Sequence, residues 1–316
     1  MNQSEIINII SQLKTIKITT NDFNYCYEGI LRCMEQTFQF EESYGCLLLA
    51  EGGLGKTTIC KAIMNKFPPS TKIEKDYIKQ VIPVFYIAVP SPVTVKSIAG
   101  IMLAALNDPN PFSGTTAQMT IRLCQHLKTS ETKLIFLDEF HHLFDMLKTS
   151  KKINTTVCNW IKTLVDQTGI CFCLVGLPDF LSLLQIDTQL ARRFPVIYKI
   201  SPLWMGKINQ NDNLGSFLKT LDEQINQKTG VSFQLKLNDP LLKLQIYVAT
   251  QGNHSYVMKL VKESIRFALE NDQFIVNSQH FEEAWNTGIT SFTTLSNRNP
   301  FNLSLAELAS KIRREN

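Results

Sequence analysis

Apolar positions recur at helical spacing over Ser4–Leu13 and again over Asp22–Phe38, which predicts two opening helices. From there the pattern changes to short apolar runs alternating with helical ones. Strands are expected at Tyr44–Ala50, Val81–Val89, Leu134–Leu137, Ile170–Val175 and Val196–Ile200. Helices are expected between them, at Lys56–Phe67, Val95–Leu106, Thr116–Leu127 and Ile153–Gln167. Continuous apolar strands separated by helices imply a parallel sheet covered on both faces. Past Ser201 the strand pattern stops. Pro202–Gly215 is polar and loop-like, and helices follow at Ser216–Gln227, Pro240–Thr250, Ser255–Glu270 and Gln279–Thr287. A turn-prone stretch with Asn297, Asn299 and Pro300 leads to a last amphipathic run, Leu303–Arg314, which either docks a partner or lies as a frayed surface helix. The expected organisation is an N-terminal helical arm over 1–43, an α/β domain over 44–201, a smaller all-α domain over 202–290 and a tail over 291–316.

Composition narrows this little. The chain has 316 residues, 44% apolar and 19% charged, as an ordinary globular protein does. Its net charge of +4 permits contact with nucleic acid without demanding it. The eight cysteines form no CxxC pair, and Cys46, Cys171 and Cys173 fall inside apolar strands as small core residues. That usage fits a reducing compartment. No run reaches the roughly 18 apolar residues of a membrane span, so a soluble, cytoplasmic protein is expected.

Two segments carry candidate chemistry. Ala50-Glu51-Gly52-Gly53-Leu54-Gly55-Lys56-Thr57-Thr58 follows the first strand and opens a helix. It matches the phosphate-loop pattern at Gly55, Lys56 and Thr57, with Ala50 in place of the first glycine. Consecutive amides of such a loop, with the helix dipole behind them, cradle phosphate. Lys56 is the candidate for the β and γ phosphates and Thr57 for a magnesium ligand, so ATP and Mg2+ are the expected cofactors. The second segment, Lys133-Leu134-Ile135-Phe136-Leu137-Asp138-Glu139, carries two acids to the tip of a buried strand. Asp138 is the metal-side carboxylate and Glu139 the group that orients or deprotonates an attacking water. His141 and His142 follow directly and are read as structural or capping. Before the fifth strand stands Gln189-Leu190-Ala191-Arg192-Arg193-Phe194. Its paired arginines are either a solvated helix end or an arginine finger for a neighbouring subunit's nucleotide.

Together these features resemble an AAA+ ATPase with a helical lid. More narrowly, Leu137-Asp138-Glu139-Phe140-His141-His142-Leu143 resembles the acid motif of the TnsC/TniB family, the ATP-dependent target-selection regulators of transposition. The likeness to that family's order runs from about Asp22 to Trp285. It implies a homo-oligomeric ring or filament on duplex DNA that recruits a transposase and answers to target-recognition proteins. It also implies ATP between subunits, with Arg193 aligning best with the finger position and Arg192 as the alternative. DNA-backbone contacts are implied for the Pro-x-x-Val-Lys-Ser stretch, which holds Lys96, and for Gly114-Thr115. The family pattern breaks in two places. Val175-Gly176-Leu177-Pro178 offers no polar sensor, and Gly252-Asn253-His254-Ser255-Tyr256 offers no sensing arginine unless Lys259 substitutes. Slow, oligomer-dependent hydrolysis suited to a timed switch is the expectation. A signalling switch of the STAND type and a replication initiator or loader are the alternative functions.

Overall fold

The structure is a computed structural model and describes residues 3–40, 44–73, 78–145, 152–181, 187–206 and 212–313. The chain divides into two compact units, one of Asn21–Ile200 and one of Met1–Thr20 with Ser201–Asn316.

The first unit begins with α2 (Asn21–Phe40), which follows α1 (Gln3–Leu13) of the other unit. The order continues β1 (Cys46–Leu49), α3 (Lys56–Lys66), β2 (Ser70–Ile73), β3 (Ile78–Val81), β4 (Val84–Ala88), α4 (Val95–Ala105), α5 (Thr116–Thr129) and β5 (Leu134–Asp138). A 3-10 turn at Phe140–Leu143 and a small hairpin, β6 (Phe144–Asp145) with β7 (Lys152–Ile153), lead to α6 (Thr155–Thr168). The unit closes with β8 (Cys171–Gly176), α7 (Thr188–Arg193) and β9 (Val196–Lys199). Five strands pair in the order β4-β5-β8-β1-β9, every pairing parallel.

Alternation along the strands divides the core. Leu47, Leu49, Phe85, Ile87, Ile135, Leu137, Phe172 and Leu174 pack under α4, α5 and α6. Their neighbours Cys46, Leu48, Val84, Leu134, Phe136, Cys171, Cys173 and Val175 pack under α2 and α3. All eight strand positions of each face are buried, which is why the strands read as unbroken apolar runs. The expected strand Val81–Val89 is in fact two. Pro83 has no N–H for a ladder, so Ile78–Val81 pairs antiparallel with Ser70–Ile73, and only Val84–Ala88 enters the sheet. The helix expected from Ile153 starts at Thr155 because the Asn154 side chain accepts from the Val157 N–H.

In the second unit the helices are α8 (Asn213–Thr229), α9 (Pro240–Thr250), α10 (His254–Glu270), α11 (Ser278–Asn286) and α12 (Leu305–Arg313). It is not purely helical: β10 (Ser232–Phe233) and β11 (Ile275–Val276) form a short parallel bridge. Helix α1 packs on α8 and α10 and buries Leu13, while α2 packs on α3 and the sheet, so the segment 1–43 is shared between the units. The tail is part of this core as well. Phe301 joins the cluster around Phe281, and Leu308 is fully buried with Val248 and Leu303. A frayed helix does not bury such a residue, and burying a leucine contributes about 1.5–3 kcal/mol. Residues 207–211 of the expected polar loop, including Asn209 and Asn211, and Arg314 of the expected last helix lie outside the described residues.

Candidate active site

The loop Ala50–Gly55 joins the centre of the sheet to α3. Ala50 and Leu54 are buried and anchor its two ends, leaving Glu51, Gly52 and Gly53 exposed between them. Gly55 takes φ 102°, a left-handed conformation that a side chain resists, and so turns the chain directly into the helix. A Cβ placed on Gly52 or Gly55 would meet no atom within 4 Å. Helices α4 to α11 each start on a Thr, Asn or Asp whose side chain caps the first turn, but α3 starts on Gly55 with no side-chain cap. Its positive end therefore faces the open side of the loop.

Lys56 and Thr57 stand in the first turn, both half-buried. The Lys56 ammonium donates to the carbonyls of Ala50 at 2.6 Å and Glu51 at 3.1 Å. Burial pushes its pKa below the ordinary lysine value, against the opposing pull of Asp138, Glu139 and Glu51. A partly desolvated cation in an uncapped glycine cradle fits a phosphate chain. Thr58 is exposed, and its N–H bonds the Gly55 carbonyl at 3.0 Å.

Asp138 ends β5, pairs in register with Ala88 of β4 and is 3% exposed. Its Oδ1 accepts the Glu139 N–H at 2.8 Å, and its Oδ2 lies 3.4 Å from the Thr57 hydroxyl. The Tyr86 hydroxyl donates to the same Oδ2. Burial, then the carboxylate, push the Tyr86 phenol well above its ordinary pKa, so it stays a donor. A hydroxyl and a buried carboxylate facing each other are the donor set a magnesium ion takes in phosphate-loop sites, so the residues fit Mg2+ as well as ATP. Glu139 leaves the strand at φ 54°, a conformation that costs a non-glycine residue about 1–2 kcal/mol. That bend starts the 3-10 turn, where the His142 N–H donates to the Glu139 carbonyl at 2.9 Å. His142 Nδ1 lies 3.2 Å from the Val89 carbonyl, which is the structural role expected of it. Among the described residues no group of three or more His, Cys, Asp or Glu could hold a metal by itself.

The structure brings Lys56, Thr57, Asp138 and Tyr86 together. The other candidates lie elsewhere. Arg193 is committed to a bidentate ion pair with Asp166 of α6, its Nε at 2.8 Å, and its Nη1 donates to the Gln189 carbonyl at 2.9 Å. Arg192 is exposed and has no side-chain partner among the described residues. Lys96 is the exposed second residue of α4, whose first turn Thr94 and Ser97 cap reciprocally. Thr115 caps α5, its hydroxyl accepting from the Gln118 N–H at 3.3 Å. The loop before it is pinned by the buried Asp108, which holds Arg122 and His126 at 3.1 Å each, while Arg122 donates onward to the carbonyls of Asn110 and Ser113. Past β8 there is no polar side chain before Asp179, as the sequence indicated. In the helical unit Lys259 stacks over Tyr256, 4.9 Å from the ring centre. Gly252 takes φ 68° against the Leu203 backbone, where a Cβ would lie 1.9 Å from the carbonyl oxygen.

Tyr86 is the site residue that sequence reading passed over. Its signal was a lone hydroxyl in an apolar strand, visible as a partner of Asp138 only once β4 and β5 are known to be neighbours.

Residues 26–202, more than half of the chain, match the family described as Bacterial TniB protein. The chain belongs to the TniB family. Comparison with curated proteins gives no match. Among solved structures, this TniB-family chain is similar to Cdc6p from Pyrobaculum aerophilum, with a TM-score of 0.63 at 14% identity over 91% of this chain and 71% of that one. It is also similar to the Aeropyrum pernix ORC1 protein in complex with DNA, with a TM-score of 0.58 at 15% identity over 86% of this chain. The Aeropyrum pernix ORC2 protein, solved as ADPNP-ADP complexes, gives 0.58 at 15% over 82%. The chain spans 66% of each of those two ORC chains. At such identities the likeness is one of fold. Family, sheet order and phosphate loop agree on an AAA+ P-loop fold.

Proposed function

We propose that this chain is an ATP-dependent, DNA-binding regulator of DNA transposition that assembles as a homo-oligomer on duplex DNA and recruits the transposase. The observation that carries the reading is the meeting of Lys56, Thr57 and the buried Asp138 at the mouth of an uncapped glycine loop in a TniB-family chain. Gly52–Thr58 bind the triphosphate, with Lys56 exchanging its bonds to the loop carbonyls for phosphate oxygens. Thr57 and Asp138 hold magnesium, which supplies charge neutralisation at the phosphates. Glu139, held at the strand tip by its bend, orients and deprotonates the attacking water. Arg192 serves as the finger for a neighbouring subunit, because Arg193 is already spent on Asp166.

DNA contact is to the backbone, with Lys96 and the Gly114-Thr115 turn as its residues. The pinned loop from Asp108 to Gly114 supports that role by presenting the turn on a fixed support. The Thr115 hydroxyl already accepts a bond, so its part in DNA contact is as a donor to phosphate oxygen. The protein acts in the cytoplasm, in keeping with its eight free cysteines, seven of them buried.

The test is sedimentation of the chain with duplex DNA under ATP, ADP and no nucleotide. Large assemblies that need both ATP and DNA support the reading. Oligomers that ATP drives and DNA leaves unchanged would move the protein to the signalling switches.

A further inference from the structure

The hydroxyl of Tyr86 meets the one oxygen of Asp138 that faces the first turn of α3. In the β4–β5 pairing Tyr86 lies opposite Phe136 and Ala88 opposite Asp138, so Tyr86 and Asp138 are diagonal neighbours on the same face of the sheet. That face carries α3, and Tyr86 packs there beside Ile59, Cys60 and Ile63 of the helix and Phe136 of the strand. From this position the ring spans one strand spacing and sets its hydroxyl on Asp138 Oδ2. The other oxygen, Oδ1, is taken by the Glu139 N–H at 2.8 Å.

Asp138 is buried and forms no ion pair among the described residues, so its charge is held by hydrogen bonds. A buried carboxylate without such partners is expensive and would turn away. With the Glu139 amide on one oxygen and the Tyr86 hydroxyl on the other, the torsion of the carboxylate is fixed at both ends. An ionised carboxylate oxygen accepts more than one bond. The acceptor position that Tyr86 leaves on Oδ2 faces Thr57, whose hydroxyl stands 3.4 Å away, too far for a strong bond.

We propose that Tyr86 is a positioning residue for magnesium. Its hydroxyl holds Asp138 with the remaining lone pair of Oδ2 toward the Thr57 hydroxyl, and thereby sets the magnesium concentration at which the loop takes nucleotide tightly. The inference rests on the reading of Thr57 and Asp138 as the metal-side pair. Tyr86 exercises its assigned role through Asp138 and not as a ligand itself. A core tyrosine that merely satisfies its hydroxyl predicts something different: removing the oxygen would change the stability of the unit and leave the magnesium dependence alone.

The experiment is a magnesium titration of fluorescent ATP-analogue binding to the full chain, with an EDTA arm. It compares wild type, Tyr86→Phe, Tyr86→Met, Asp138→Asn and the double variant Tyr86→Phe/Asp138→Asn, each checked by urea unfolding. Tyr86→Met keeps the apolar filling without a ring, so the result does not hang on one replacement. Loss of a hydrogen bond to a charged group is expected to raise the magnesium midpoint about tenfold in both Tyr86 variants. Affinity in EDTA should stay within about twofold, since that bond acts on the metal side alone. In the Asp138→Asn background, Tyr86→Phe should add nothing. An unchanged midpoint in Tyr86→Phe overturns the proposal. So does a lowered midpoint, which would make the hydroxyl a competitor of the metal, and so does a Tyr86→Phe shift that persists in the Asp138→Asn background. A wild type that binds equally well in EDTA and magnesium overturns the metal-site reading itself, and the Tyr86 role falls with it.

Discussion

Replacing Arg192 and Arg193 one at a time separates two roles that the local sequence leaves joined. Arg193 has its guanidinium on Asp166, with side-chain exposures of 29% and 53% for the two partners. The Asp166 partner raises the arginine's pKa, and Arg193 in turn holds the carboxylate of Asp166 below its ordinary value. Both groups see water, however, so the pair contributes about 0.5–1 kcal/mol at most, even with two bonds. For a unit of this size that is a shift in melting temperature of roughly 1–4 °C. Arg192 has no side-chain partner among the described residues and should melt as wild type does, within about 1 °C. Hydrolysis should show the reverse. A finger contributes about 10³-fold or more in rate. Arg192→Ala should therefore drop DNA-stimulated ATP turnover to the assay background, while Arg193→Ala stays within about threefold of wild type. Asp166→Asn should reproduce the small loss of stability and keep hydrolysis. The assays are phosphate release with duplex DNA present and thermal melting without it. If Arg193→Ala abolished turnover and Arg192→Ala spared it, the ion pair to Asp166 would have to open on assembly, and exposure in the single chain would be the wrong guide to the finger.

Two further outcomes follow from packing and charge. Leu308→Ala removes a fully buried side chain between Val248 and Leu303 and should cost the helical unit about 2–4 kcal/mol in urea unfolding, where a frayed tail would lose under about 0.5. Asp108 is buried, and that burial raises its pKa, but the Asn110 N–H, Arg122 and His126 outweigh it and leave the folded value lowered. Its contribution is therefore complete above the unfolded aspartate pKa of about 3.9 and is lost as pH falls through the lower folded value. Asp108→Asn should cost stability at pH 7, and that cost should vanish once the pH is below the folded value. A cost that persisted undiminished in acid would assign the effect to some other group.

The centre of the sheet was legible in the sequence because β1, β5 and β8 are buried at every position and read as plain apolar runs. The phosphate loop and the acid pair were legible too, since chemistry there restricts residue type at fixed spacing. What depends on partners outside the local pattern was not legible. Pro83 splits one expected strand because the hairpin Ser70–Val81 finds its own pairing outside the sheet. The tail reads as an isolated amphipathic helix because Val248, which buries Leu308, lies far upstream in sequence. Tyr86 looks like any strand aromatic until Asp138 is beside it. Local sequence leaves Arg192 and Arg193 alike until Asp166 is found beside Arg193. For the tail, Tyr86 and Arg193 the missing information was a contact between residues tens of positions apart, which periodicity does not encode.

The most direct measurement is anisotropy of labelled duplex DNA with wild type, Glu139→Gln and Lys96→Ala, in ATP and in ADP, over a salt series. Tight binding is expected in ATP alone, with little sequence preference and a steep loss with salt. Lys96→Ala should weaken binding uniformly across sequences and reduce the salt slope by about one. Glu139→Gln, which keeps its place at the bend but loses the base, should hold DNA long after wild type has released it. Binding that is equal in ATP and ADP, or a Glu139→Gln complex no longer-lived than wild type, would contradict an ATP-timed assembly on DNA.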